Sequence, residues 1–575
     1  MLNLGNGNLL VQSASELPEV FGVNELYLDV ETQSNSSKRP GDSPYQGDRI
    51  CGVSITYDDC PNAWYIPVRH SDGRWNIDIE PFQKWLRKVI WSSKRWINHN
   101  ILFDMHFCAM DGVEYTWDQF VTEIFDTLVF AKIVDSDRVI EGYGLKDLAH
   151  DWCNADNEDR TRMQAYLKGM KSKNYADCPA DIMGDYACGD VRKNRAVYHK
   201  ILSMYDSSMK LCWENEMRLT PVIYDIEDFG MPVDNTELKV EKAKSLHKQI
   251  MMGDRLHTLL GHEMNPKSNP QVYDVLINQF GLPILATNED EKSSTFGNPT
   301  FDKDALALYL IHPSVLADPL KLETVKLIKG LRDECHFESL FLNTYIEQAV
   351  NGILHPSYNQ VVRTGRMSCR NPNAQQLNKR AKKLIHPRPG MAILSADYSQ
   401  IEFRLIAHYI CDQEAIKAYN EKPDTDFHSW VASMCGVKRK AAKCLNFGMG
   451  FGAGKAKVVK MLSGNPDVIE ATSVKINLMI ESGVLIAANR NIEYKKQCEI
   501  LAEGLYNIYH ERLPGIKATS RRAADVVKAR GYVFNAYGRR RHLQDRFCYK
   551  AFNLSLIHIS EPTRLRRISY AVFCL

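Results

Sequence analysis

Between Met391 and His408 the chain reads MAILSADYSQIEFRLIAH: an apolar run, an aspartate, then a helical pattern. The spacing predicts a buried strand over Met391–Leu394, with Asp397 at its end and a helix following at once. A carboxylate at a strand end beside a helix start can hold a divalent cation. Taken alone, such an Asp also fits an ordinary strand cap, so its meaning depends on what else the chain carries.

The first two hundred residues carry a second, denser acidic pattern. Glu25 to Thr32 reads ELYLDVET, and Leu26, Leu28 and Val30 alternate with Asp29 and Glu31. That alternation predicts a strand, and spacing of two puts both carboxylates on one face. Two acids side by side repel unless cations neutralise them, so the pair invites metals. NHNILFD follows, ending in Asp104, and then DYACGD places Tyr186 four residues before Asp190. On a helix that spacing puts Tyr186 and Asp190 on one face. Asp126, in FDTLVFAKIVD, is expected to be a helix N-cap rather than a ligand.

Composition narrows the class. The 575 residues are 44% hydrophobic and 25% charged, which suits a globular chain of several domains. Net charge is only +2, yet residues 361–390 hold eight Lys/Arg and no Asp or Glu. A basic stripe in a neutral chain is the footprint expected for phosphate contact. The fifteen cysteines are scattered, without CxxC pairs or zinc spacing, and read as reduced thiols of a cytoplasmic protein. No signal peptide is evident at the start, and no apolar run is long enough to span a membrane, so no membrane partner is expected.

DYSQIE resembles motif A of the family A DNA polymerases. The resemblance implies that Asp397 binds the catalytic magnesium ions and that Glu402 packs under the incoming sugar, with Tyr398 and Gln400 beside the dNTP. ELYLDVET, NHNILFD and DYACGD together resemble the three motifs of the DEDDy 3′–5′ exonucleases, which have an RNase H-like fold. That resemblance implies that Asp29, Glu31, Asp104 and Asp190 hold two Mg²⁺ or Mn²⁺ ions, and that Tyr186 orients the attacking water.

Other segments extend the likeness. RTGRMSCRNPNAQQL resembles the family's minor-groove segment, which implies DNA contacts from Arg366, Asn373, Gln375 and Gln376. Donors there reach acceptors shared by all base pairs. Cys369 stands where the family usually has Ser. TDFHSW makes His428 a candidate triphosphate contact. VKRKAAKCLNFGMGFGAG resembles motif B, and Arg439, Lys443, Phe447 and Phe451 recur every four residues on one predicted helix face. The cations would meet the dNTP phosphates and Phe447 would stack on base and sugar; Phe451 replaces the usual Tyr, which bears on fidelity. The glycines here do not form a P-loop, since Met449 stands where the first Gly is needed and Lys455 is followed by Ala456. GYVFNAYGRRRHLQDRF resembles the segment returning to the palm, with Arg539, Arg540 and Arg541 as basic contacts for template or structure. Leu211 to His262 is expected to be largely helical, broken at GMPVD with Gly230 as C-cap. NPKSNPQ (Asn265 to Gln271) is expected to be a loop, and Asn288 to Pro299 to be loose.

The expected architecture is α/β and α+β multidomain. An RNase H-like exonuclease spans 1–205, a thumb and helical connection 206–355, the first part of a palm 356–415, fingers 416–530, and the start of the returning palm 531–553. Residues 554–575, LSLIHISEPTRLRRISYAVFCL, resemble translated sequencing-adapter DNA rather than polymerase sequence. The family's motif C is not found in the chain. The expected function is a template-directed DNA polymerase of phage type, in host cytoplasm, with a proofreading exonuclease. Its partners would be primer–template DNA, single-stranded 3′ ends, dNTPs and, if one exists, a processivity factor. Two other readings remain: a 3′–5′ exonuclease only, and a DNA-binding module without chemistry. With one palm acid instead of two, the 575-residue chain is expected to give no templated synthesis. Primer extension with labelled dNTPs checks this, and robust extension would show that motif C is not needed.

Overall fold

A computed structural model describes residues 1–34, 43–138, 141–288, 290, 293–362, 365–450, 454–463, 466–482, 490–535 and 537–551. Chain contacts divide it into two units. One comprises Met1–Phe229, Tyr358–Ser368 and the chain from Leu394 on; the other comprises Gly230–Ser357 and Cys369–Ile393.

The N-terminal part of the first unit is a seven-stranded mixed sheet. Its strands are β1 (Leu2–Gly5), β2 (Asn8–Leu10), β3 (Glu25–Gln33), β4 (Arg49–Tyr57), β5 (Ala63–Pro67), β6 (Arg95–Asn98) and β7 (Glu123–Asp126), in the order β1-β2-β5-β4-β3-β6-β7. β3 pairs antiparallel with β4 and parallel with β6. The helices are α1 (Ile79–Ser92), α2 (Ile101–Met110), α3 (Thr127–Val134), α4 (Leu145–Cys153), α5 (Glu158–Gly169), α6 (Ala180–Met204) and α7 (Lys210–Phe229).

The predicted alternation in β3 is the reason the sheet has two cores. Leu26, Leu28 and Val30 enter one, with Phe82, Trp85 and Val89 of α1. Tyr27 points the other way, into a core with Met183, Tyr186 and Val191 of α6. Asp29 and Glu31 share the Tyr27 face by the two-residue period, and so face α6. Asp126 caps α3 as expected, accepting from the Leu128 N–H at 2.8 Å. It also accepts from the N–H groups of Asn100 and Ile101 at 2.9 and 3.1 Å, fixing the start of α2.

Further along the first unit, helices Ile401–Tyr409, Phe427–Cys435, Arg439–Gly450, Lys455–Ser463 and Arg490–Arg512 surround another apolar core, which includes Phe403, Phe427, Leu445, Val458 and Tyr509. The hairpin Tyr532–Phe534/Arg540–His542 bonds to the α7 region: Arg539 pairs with Glu216, Arg540 with Asp206, and the Ser136 hydroxyl accepts from the His542 N–H at 2.9 Å.

In the second unit, the long helix Asn235–Leu260 packs along Pro319–Phe337. Asp234 caps the former, accepting from Thr236 and Glu237 N–H groups. The break at GMPVD is as expected: Gly230 has φ +63°, and a Cβ there would come within 2.5 Å of the Leu354 carbonyl.

Three expectations are corrected. Met391–Leu394 forms no strand; Met391, Ile393 and Leu394 are each more than half exposed, after a turn in which the Met391 N–H bonds Arg388 O. A strand needs a neighbour for its backbone groups, and among the described residues none pairs with this run. NPKSNPQ is only partly loop, because Ser268 opens a short helix, Asn269–Tyr273, with Pro270 in its first turn. The described residues of 288–299 are closed by an antiparallel bridge between Thr287 and Pro299, and Asn288 bonds Ser293 and Thr295.

Among the described residues every cysteine is a free thiol, and no helix is long and apolar enough to cross a membrane. Phe451 and the segment 554–575 lie outside the described residues, as does the side chain of Phe447.

Gly52 of β4 sits opposite Glu31, and a Cβ there would collide with the Tyr65 ring and hydroxyl. Gly52→Ala is expected to cost about 1–3 kcal/mol by overpacking. Thermal unfolding should show a lowered midpoint, and an unchanged midpoint would show that the Tyr65 ring moves aside without cost.

Candidate metal centre

β6 ends at Asn98, while β3 runs on to Gln33. Past Tyr27, β3 therefore loses its parallel neighbour, and side chains take over. Asp104 of α2 accepts the Val30 N–H at 2.9 Å, and the Asn98 amide reaches Asp29 at 3.4 Å. The opening thus lies beyond the carboxyl end of β6, where open α/β sheets usually bind ligands.

Across this opening α6 brings Asp190 to Asp29 and Glu31, and ligand oxygens of the three lie within 4.8 Å of one another. Glu31 and Asp190 are buried, 5% and 1% exposed. Burial and the Asp190 charge push Asp29 up to about 7. Burial and then Asp29 hold Glu31 well above the usual carboxylate range; the same two causes act on Asp104. Such shifts mark acids packed closer than their charges tolerate without a cation. Asp104 belongs to the expected set but lies outside the tight group of three, its Oδ1 being occupied by Val30.

A divalent cation fits this donor set. The donors are all oxygen, as Mg²⁺ and Mn²⁺ prefer. Asp190 Oδ1 is buried without a hydrogen-bond partner, and the Lys193 ammonium stands 3.9 Å away. Tyr186 lies beside Asp190, as its i, i+4 spacing predicts, and burial keeps its phenol protonated.

Sequence reasoning missed Lys146. From α4 its ammonium donates to Asp190 and, at 3.0 Å, to the Tyr186 oxygen. Burial alone would lower its pKa, but Asp190, Asp29 and Glu31 outweigh it and hold the group above its ordinary value. No spacing rule singles out a lysine in GLKDLA. Only the packing of α4 on α6 reveals it.

The other expected site residues are more dispersed. Asp397 is exposed on irregular backbone, with Tyr398 half-buried beside it. Gln400, at φ +52°, accepts the Phe427 N–H at 2.7 Å and donates to Thr425 O, tying two helix starts together. Glu402 pairs with Arg366 at 3.1 Å. His428 is buried, bonds Asn446 at 2.9 Å, packs edge-on against Phe403, and is lowered in pKa by burial. Arg439 grips Asp426 at 2.5 Å and holds that carboxyl down at about 2; Lys443, one turn on, is exposed. Asn373 caps a short turn over Ala374–Gln376, leaving Gln375 and Gln376 exposed. Arg539 and Arg540 are taken up by acids, and Arg541 is buried. Among the described residues these groups form no second carboxylate cluster.

Asp29, Glu31 and Asp190 thus form an acidic cluster between a strand and a helix, with the Tyr186 phenol beside it. Residues 12–206 match the 3′–5′ exonuclease family model and residues 236–475 match DNA polymerase family A. The chain is 26% identical to a DNA-directed DNA polymerase of Pseudomonas phage M6, covering 92% of this chain and 82% of that protein. It is 27% identical to DNA polymerase DpoZ of Salmonella phage PMBT28, covering 93% and 85%. The solved polymerase domain of Pol1 from M. smegmatis, in complex with DNA primer-template and dNTP, has a similar fold. Its TM-score is 0.64 at 19% identity, over 94% of this chain and 84% of that one. The chain thus carries a DNA polymerase family A domain over residues 236–475, preceded by a 3′–5′ exonuclease domain over residues 12–206. Domains of this kind are metal-dependent in general.

Stability should follow the raised acids. The Asp29 pKa is higher folded than unfolded, so its neutral form favours folding. That contribution is complete below about pH 4 and is lost as pH rises to about 7. In chelator, the unfolding midpoint of the exonuclease domain should therefore fall across this window, on the order of 5 °C. Calorimetry checks the trend, and Asp29→Asn should flatten it.

Proposed function

We propose that the N-terminal centre removes nucleotides from the 3′ end of single-stranded DNA, and that the chain from Gly230 on serves primer–template and dNTP binding. The observation carrying the first part is the convergence of Asp29, Glu31 and Asp190, with a buried Asp190 oxygen lacking any hydrogen-bond partner. Asp29, Glu31, Asp104 and Asp190 would hold two Mg²⁺ or Mn²⁺ ions, which supply water activation and charge stabilisation at the leaving 3′ oxygen. Tyr186, kept as a phenol, presents its hydroxyl to the attacking water. Asp104 also bonds the β3 backbone at Val30, so a single helix, α2, sets both the strand and a ligand.

In the polymerase half, Asp397 is the proposed metal carboxylate and Glu402 the residue under the sugar, with Tyr398, Gln400 and His428 around the nucleotide. Arg439 and Lys443 would meet the triphosphate, with Phe447 and Phe451 at the base. Arg366, Asn373, Gln375 and Gln376, and in part Arg539, Arg540 and Arg541, would face DNA. Exposure of Lys443, Gln375 and Gln376 supports this reading. The free cysteines and the phage and bacterial relatives support work in the cytoplasm.

One observation favours the narrower exonuclease reading for the residues described. The nuclease acids converge, whereas Asp397 stands exposed with no carboxylate cluster around it. Trimming of 5′-labelled single-stranded DNA tests the proposal. Asp29→Ala with Glu31→Ala should abolish it. Tyr186→Phe should slow it roughly 100-fold by misplacing the nucleophile, while Mn²⁺ binding persists. Undiminished trimming by the double variant would remove the assignment.

A further inference from the structure

The lysine inside the carboxylate cluster is placed by more than chance packing. Lys146 stands in the first turn of α4, and the chain entering that helix is pinned on two sides. The His99 ring, just past the end of β6, bonds the Tyr143 carbonyl at 2.9 Å, and the Tyr143 hydroxyl donates to Asp135 O at 2.7 Å. The other lysine nearby, Lys193, bonds both oxygens of Asp159 at 2.9 and 2.7 Å and stands farther from the cluster, 3.9 Å from Asp190 Oδ1. The carboxylate that Lys146 contacts is Asp190 of the cluster itself. Its ammonium also lies 4.9 Å from the Tyr186 ring centre, so it bridges the acid and the phenol on one face of α6.

We propose that Lys146 is a positioning residue of the nuclease, a tethered cation that holds Asp190 and Tyr186 together before divalent ions load and competes with them for Asp190. This inference rests on the nuclease reading of the site. The physical ground is charge. Three converging carboxylates repel, and a single ammonium offsets part of that repulsion. A divalent ion on the unpartnered Asp190 Oδ1 would be repelled by the ammonium held on the other oxygen, so loading favours Lys146 moving off the carboxylate. The Tyr186 oxygen remains within its reach. An ammonium on that lone pair leaves the phenol proton free to point at the substrate side, which orients the phenol as a donor.

The test uses the full chain and two readouts: Mn²⁺ binding, followed by the spin-resonance signal of free Mn²⁺, and single-turnover trimming of 5′-labelled single-stranded DNA. Lys146→Met should bind Mn²⁺ roughly 10-fold more tightly, yet trim roughly 10-fold more slowly at saturating metal. Adding Tyr186→Phe to Lys146→Met should slow trimming much less than Tyr186→Phe does alone. Lys146→Arg should return both readouts toward wild type. Lys146→Gln keeps a donor without charge and should likewise bind Mn²⁺ more tightly; it decides the matter if the Met variant loses its circular-dichroism signature. A merely structural lysine would leave Mn²⁺ affinity unchanged or weakened in both neutral variants, and that result would overturn the inference. Failure of the nuclease reading looks different: wild type would then bind no Mn²⁺, and Asp29→Ala with Glu31→Ala would leave trimming intact.

Discussion

Like charges buried together set the terms for the N-terminal domain. Asp29, Glu31 and Asp190 meet between a sheet and a helix that share an apolar core including Tyr27, Met183 and Val191. Ionised acids in such a place are costly unless paired. The surrounding sequence is arranged to make that cost bearable. One strand carries two of the acids at the same period that buries Leu26, Leu28 and Val30 on its other face. A long helix carries the third acid and the phenol four residues apart. Asp126 and Asp104 then spend their oxygens on backbone N–H groups, so that β3, α2 and α3 hold still relative to one another.

The same accounting explains why the domain keeps basic groups close to its acids. Lys193 is taken by Asp159, and Lys146 alone bridges the cluster and the phenol. With Lys146 in contact and Lys193 shared with Asp159, the monovalent charges do not match the converging carboxylates, and the centre favours further cations. That preference is the physical content of the metal dependence general to exonuclease domains of this kind.

Much of this was legible in the sequence, for local reasons. The period-two run in ELYLDVET fixes which side chains share a face, and the four-residue step in DYACGD does so on a helix. Asp126 followed by Thr127 opens a helix by local capping chemistry. The failures were non-local. MAIL has strand composition, but a strand is completed by a neighbour, and the described chain pairs none with it. Lys146 sits in a helix of ordinary pattern, and its role exists only because α4 packs on α6. The buried setting of His428, the candidate triphosphate contact, against Phe403 is likewise set by packing and not visible in TDFHSW.

The polymerase-like residues differ from the nuclease acids in how they are held. The Arg366–Glu402 pair is half exposed on the Arg side and a third on the Glu side. Exposed pairs of this kind contribute at most about 1 kcal/mol. A phosphate or sugar able to make a charge-assisted bond can therefore displace either partner at little cost. Arg439 with Asp426 is also exposed on the Arg side and open to the same exchange. Gln400 is different: its amide joins the starts of two helices through backbone groups, so moving it would disturb both. The contrast divides DYSQIE by role. Gln400 is fixed by two helix starts, whereas Glu402 is held by a part-exposed ion pair.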